Sequence, residues 1–190
     1  DNQMPVNTYD PALNVALDIS AQNTLTLQPH SSLVSTISIE KRQHSNDTQL
    51  LAAAVLTVLS ASAPAGSFRP PYSGSDKTPR FNKSMLDYSL LLRLPPVKGT
   101  PTLGSVEAMF KAPWIDHRPG WAQRYMHPRN NMSEYGREIH RDIGIGALML
   151  HLDFEPEQKE TLLIRYVQLG IDCHGIITAG GRWNWVGEGG

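Results

Sequence analysis

The chain has 190 residues, enough for an ordinary domain with its own core. Lys and Arg total 17 against 18 Asp and Glu, which excludes a histone-like polycation. The single Cys173 excludes an internal disulfide framework or a cysteine-rich zinc module, and no apolar run approaches the roughly 18 residues of a membrane-spanning helix.

The first sixty residues read as β structure. Leu13, Val15, Leu17 and Ile19 alternate, Leu25 and Leu27 alternate, and Leu33–Ile39 is rich in β-branched residues. Period two predicts three strands, with Gln28–Ser32 and its Pro29 as the turn between the last two. Leu50–Leu59 is mixed. Ala52, Ala53 and Ala54 favour helix and Val55, Thr57 and Val58 favour strand, so the second half is read as buried strand, closed by the turn at Ser62–Gly66. Residues 1–62 are therefore an N-terminal antiparallel β module.

Residues 61–132 read as largely irregular. Eight of the 14 aromatic residues and ten of the 14 prolines fall between 61 and 130, too many aromatics to leave in water. Short helices are expected at Leu86–Leu92, ending before Pro95-Pro96, and at Leu103–Lys111, capped by Thr102 and stopped by Pro113.

Residues 133–179 read as an antiparallel helical hairpin. Ser133 is a candidate N-cap, and Ile139, Ile143, Ala147 and Leu150 recur at helical spacing. Gly144 and Gly146 imply close approach by another part of the chain. A second helix restarts at Phe154-Glu155-Pro156-Glu157, with proline at its first position. Leu162, Tyr166, Leu169, Cys173 and Ile176 form one stripe and Leu163, Val167 and Gly170 an adjoining one, which predicts an interior helix. The fold class is α+β: a β module, then residues 63–190 as a loop-rich, aromatic lead-in plus the helical hairpin. Two Trp in the Gly-rich stretch Gly180–Gly190 read as the interior of a longer chain.

The near-zero charge conceals a cationic centre. Residues 1–60 carry net −3, 61–150 net +5 and 151–190 net −3. Within the centre, Gly66–Lys77 is stiffened by Pro70-Pro71 and can present Arg69, Tyr72 and Lys77 to a ligand; the same pattern suits a structural loop whose Arg pairs with a carboxylate and whose Tyr packs. Trp121, Arg124, Tyr125, His127, Asn130 and Asn131 form a second concentration. Arginine recognises carboxylate or sulfate through forked hydrogen bonds, and flat aromatic rings suit sugar faces. These residues together point to an acidic glycan. At the start of the first long helix stand Tyr135, His140 and Asp142; Glu138 with Arg141, or Arg137 with Arg141, also fits a solvated face.

Other chemistries find little support. His140, His151 and His174 match no metal-ligand spacing. No nucleophile elbow, phosphate loop or dinucleotide fingerprint is present, and Cys173 reads as an inert buried thiol. No cofactor is implied, and no nucleic-acid module accompanies the basic centre.

The helices at Tyr135–Leu150 and Leu162–Ile177, with the Gly-Gly-Arg-Trp-Asn-Trp exit at Gly180–Gly190, resemble part of the secreted α/α-toroid polysaccharide lyases of the alginate- and heparin-lyase type, and also secreted proteins of marine bacteria. The resemblance covers about a quarter of the chain and rests on no diagnostic motif; a toroid needs many such hairpins. It implies an extracytoplasmic protein that acts by β-elimination. A neutralising Asn or Arg and a Tyr/His acid–base pair would be drawn from Tyr135, His140, His127, Asn130, Asn131 and Arg124. Arg69, Tyr72, Lys77, Trp121, Arg124 and Tyr125 would bind substrate. The alternatives are a non-catalytic glycan-binding or structural module, or a subunit of an extracellular or viral assembly that docks on a partner chain.

Overall fold

The structure, a computed structural model, describes residues 19–38, 50–113 and 135–180. It is mixed α+β: a two-stranded antiparallel sheet, a proline-rich loop, short 3-10 turns and helices. The expected strand at residues 13–18 lies outside the described residues.

Strand β1 (Ser31–Ser38) pairs with β2 (Leu50–Val58), in register from Ser31 opposite Val58 to Ile37 opposite Ala52, with an irregularity before Ser38. The whole of 50–58 is strand, alanines included, because Ala52, Ala53 and Ala54 stand opposite Ile37, Thr36 and Ser35 of β1 and the ladder outweighs alanine's helical preference. Ser32 and Thr57 hydroxyls meet across the pair at 2.8 Å. The expected strand at Thr24–Gln28 is not one. Among the described residues it has no ladder partner and it is largely exposed, and the turn at Pro29-His30, with His30 at φ 64°, leads straight into β1.

Residues 67–82 form an Ω-shaped loop whose ends meet. Ser67 bridges Asn82, the Phe68 N–H donates to Phe81 O at 2.9 Å, and the Lys83 N–H donates to Gly66 O at 2.9 Å. Gly66 takes a positive φ at this neck, where a side chain would also press on Lys83 and Asn82.

The helix expected at Leu86–Leu92 is replaced by two 3-10 turns, Lys83–Met85 and Tyr88–Leu90. Asn82 and Asp87 each accept, through the side chain, the N–H two residues ahead. Such Asx turns compete with helix propagation, so Asp87 breaks the segment. A strap then runs outward. Its Leu94 forms a parallel bridge with Leu152, and Leu90, Leu92, Leu94 and Val97 stay exposed.

Helix α1 (Leu103–Met109) starts where expected, with Thr102 Oγ1 accepting the Ser105 N–H. Helix α2 (Tyr135–Leu150) and helix α3 (Pro156–Thr178) follow. Pro156 opens α3, and Glu155 and Gln158 cap it reciprocally. Val106, Phe110, Met149, Leu150, Leu162 and Leu163 make the buried core that α1, α2 and α3 share.

Gly146 explains how α1 comes so close. A Cβ there would lie 2.5 Å from the Phe110 ring, which also tilts against Tyr166 at 5.4 Å between centroids. At Gly144 a Cβ would meet nothing within 4 Å among the described residues. Helix α3 is not uniformly interior. One face near Leu162 meets the core, another at Ile171, Asp172 and Gly175 meets the loop, and Gly170, His174 and Ile177 are exposed. Among the described residues no helix is long and apolar enough to cross a membrane.

Candidate functional site

The Ω-loop lies on the C-terminal half of α3, and three α3 residues on one helical face hold it there. Gln168, Asp172 and Gly175 stand at i, i+4 and i+7. Gln168 treats Arg69 as a neighbouring strand would. Its Oε1 accepts the Arg69 N–H at 3.0 Å and its Nε2 donates to Arg69 O at 3.0 Å. Asp172, only 2% exposed, receives both arms of the Arg69 guanidinium and also the Tyr72 N–H at 3.2 Å. Gly175 lets the chain come closer still: a Cβ there would sit 2.1 Å from Pro71 Cβ.

Burial pushes the Asp172 carboxyl above the ordinary carboxylate range, against the pull of Arg69 and the Tyr72 N–H. The Arg69 guanidinium also donates to Pro70 O at 2.9 Å and lies 5.9 Å from the centre of the Tyr72 ring.

Lys77 fills the inside of the same loop. Its side chain is buried, and Nζ donates to the carbonyls of Pro71 at 2.7 Å, Tyr72 at 3.0 Å, Ser73 at 3.2 Å and Gly74 at 2.8 Å. Burial, and Arg69 nearby, push its pKa down, while the four carbonyl dipoles favour the charged form.

Arg69, Tyr72 and Lys77 are therefore brought together in one loop, and Arg69 also lines the cavity beside it. The Arg69 guanidinium is engaged by Asp172 and the Lys77 ammonium by loop carbonyls. The Arg–carboxylate pair that a structural loop would use is present in Arg69 with Asp172. Other cations turn inward in the same way. Lys159, almost fully buried, donates to Leu150 O at 2.9 Å and Leu152 O at 3.1 Å and so caps α2; Arg165 donates to Glu107 O at 2.9 Å at the end of α1.

What the loop and α3 leave between them is a cavity of about 460 Å³. Phe68, Pro71, Ile171 and Gly175 supply apolar wall, Ser73, Ser75, Thr78 and Thr178 supply hydroxyls, and Arg80, Phe81 and His174 stand around it. The Phe81 ring is exposed. Arg80, with 63% of its side chain exposed, spends one N–H arm on Asp76 at 2.6 Å. That bond, with the Thr78 N–H on the other carboxylate oxygen, holds Asp76 far below the usual carboxylate range. A concave, mostly apolar space with a few polar groups on one side has the form of a small-ligand site.

Of the other expected site residues, His140 is exposed on α2 and does not line this cavity. Tyr135 begins α2, its side chain outside the description, and Trp121, Arg124, Tyr125, His127, Asn130 and Asn131 lie outside the described residues. Asp142 is buried on α2, and Cys173 is half-buried rather than enclosed. Among the described residues no group of three or more His, Cys, Asp or Glu side chains is placed to hold a metal.

The sequence reading missed Gln168, Asp172, Arg80, Phe81 and His174. A signal for the first two existed: an amide and an acid one turn apart in the mostly apolar second half of α3, with a glycine on the same face. No protein-family model, no curated protein and no solved structure matches the chain.

Proposed function

We propose that the chain is the carbohydrate-recognising part of a secreted protein that handles an acidic polysaccharide, and that a glycan unit lodges between the Ω-loop and α3. The observation that carries this reading is the cavity of about 460 Å³ with the Phe81 ring and the Arg80 guanidinium beside it. A sugar ring stacks on Phe81, its hydroxyls meet Ser73, Thr78 and His174, and its carboxylate takes the arms of Arg80 that Asp76 leaves over. Helices α2 and α3 are, in this reading, one hairpin of an α/α toroid. Elimination chemistry would fall to Tyr135, His140, His127 and Asn131, and binding at the cavity rests on none of them.

The test is calorimetric titration with uronate oligosaccharides and their neutral counterparts. The uronate forms should bind more tightly, and Arg80→Ala should weaken them about tenfold, the loss of one charge-assisted contact. Absence of binding by every uronate, or unchanged affinity in Arg80→Ala, overturns the reading. Ultraviolet absorbance of the same mixtures shows whether the bound glycan is also cleaved by elimination.

A further inference from the structure

The interior of the Ω-loop is unusual in what fills it. Loops of this kind are packed by their own side chains, and here the filler is an ammonium group. Four successive carbonyls, from Pro71 through Gly74, converge on Lys77 Nζ at 2.7 to 3.2 Å. The side chain that delivers the charge is 2% exposed. Successive residues do not aim their carbonyls at one point by default. Pro70-Pro71 restricts the approach and Gly74, at φ 71°, permits the exit. Oxygens at such distances around one positive centre are the arrangement by which backbone carbonyls replace the water shell of a monovalent cation.

We propose that the Pro71–Gly74 turn is a carbonyl cage for a monovalent cation, which the folded protein occupies with its own Lys77 ammonium, and that this captive charge sets the shape of the neighbouring cavity. Pro71, Ser73 and Gly74 belong both to the cage and to the cavity lining. Lys77 is thus a positioning residue. Without its charge, four carbonyl oxygens are left together with their dipoles opposed, and the turn opens. The cage stands on geometry alone and does not depend on what the cavity binds.

Lys77→Ala tests it by removing the tethered cation and leaving the oxygens. Thermal melts are recorded at equal ionic strength in chlorides of potassium, ammonium, lithium and tetramethylammonium. In tetramethylammonium, too large for the cage, the variant should melt about 5 °C or more below the unaltered chain. Potassium or ammonium should restore at least half of that loss, with lithium less effective, while the unaltered chain melts alike in all four salts. A variant as stable as the unaltered chain, or one equally weak in every salt, overturns the proposal. If Lys77→Ala does not fold, the unaltered chain with 15N-labelled lysine supplies the answer. A caged ammonium keeps proton resonances at neutral pH, and their absence for Lys77 also overturns it. Because melting is read without glycan, failure here is distinct from failure of glycan binding.

Discussion

Two irregular segments are fastened to the helical pair by the same chemistry with opposite surroundings. The Ω-loop sends Arg69 to Asp172 on α3, and the strap sends Arg93 to Asp153 at 2.5 Å and Glu155 at 3.0 Å, just before α3 begins. Asp172 is buried and shared with a backbone N–H, beside the two-way Gln168 clamp. Arg93 is 58% exposed and its partners are about as open. An ion pair in water gains little over solvation, whereas a buried carboxylate that loses its partner is stranded. The first clamp should therefore decide whether the loop and its cavity exist, and the second should be nearly dispensable.

The largest effect should come from Asp172→Ala, which leaves Arg69 and the Tyr72 N–H without their acceptor. We expect a loss of about 3 kcal/mol in urea unfolding, the low end for a broken buried pair because Arg69 keeps some solvent contact. A loss as small as that of an exposed pair would erase the contrast between the two clamps. Gly175→Ala comes next. The added methyl must push Pro71 away from α3, and overpacking of this kind costs about 2 kcal/mol. Gly170→Ala on the same helix is the control. A Cβ there meets nothing within 4 Å among the described residues, so better helix propensity should raise stability by about 0.5 to 1 kcal/mol.

Burial also gives the loop clamp a pH signature. The Asp172 carboxyl is held above its ordinary value, so the pH-dependent part of its contribution is full below the unfolded carboxylate pKa near 3.8 and is lost as pH rises through the folded value. Asp76 and Asp87 are shifted the other way, and their contributions disappear as pH falls below the ordinary range. Comparing the unaltered chain with Asp172→Asn cancels both. The stability difference between the two should shift against the unaltered chain as pH rises from about 4. A shift in its favour would mean that Arg69 outweighs burial.

The contrast between the clamps also marks what sequence could tell. Thr102 before Leu103, and Glu155-Pro156 before α3, are local signals, and both helices begin where those residues say. The neighbours that decide the site are distant. Arg69 and Asp172 are 103 positions apart, and nothing near Arg69 says that its partner waits on a helix. A basic, aromatic, proline-stiff segment has the same composition whether its cations face a ligand or the loop's own carbonyls. Within the +5 of residues 61–150, Arg69 and Lys77 both have their charges engaged by partners in the fold. Ala52–Ala54 erred for the related reason that pairing with β1, not local preference, settles their conformation. Gly144 and Gly146 look alike in sequence, yet only the second has the Phe110 ring against it.

The strap clamp supplies the smallest prediction and the sharpest control. Arg93→Ala removes two ion pairs at once, so by a count of salt bridges it should matter more than Asp172→Ala, which removes one. Solvent reverses that order. The strap keeps the Leu94 N–H on His151 O and the Asp153 N–H on Leu94 O, both at 2.9 Å, and the Leu92 N–H on His151 Nδ1 at 3.0 Å. None of these bonds involves the guanidinium. Arg93→Ala should thus produce the smallest change of the series in urea unfolding. That change should shrink further as salt rises from about 0.05 to about 0.5 M, because open charges are screened. The loss in Asp172→Ala should keep most of its size over the same range, its pair being shielded from ions. Equal salt sensitivity in the two variants would mean that water reaches Asp172, and the distinction between a loop locked onto α3 and a strap resting beside it would fall with that result.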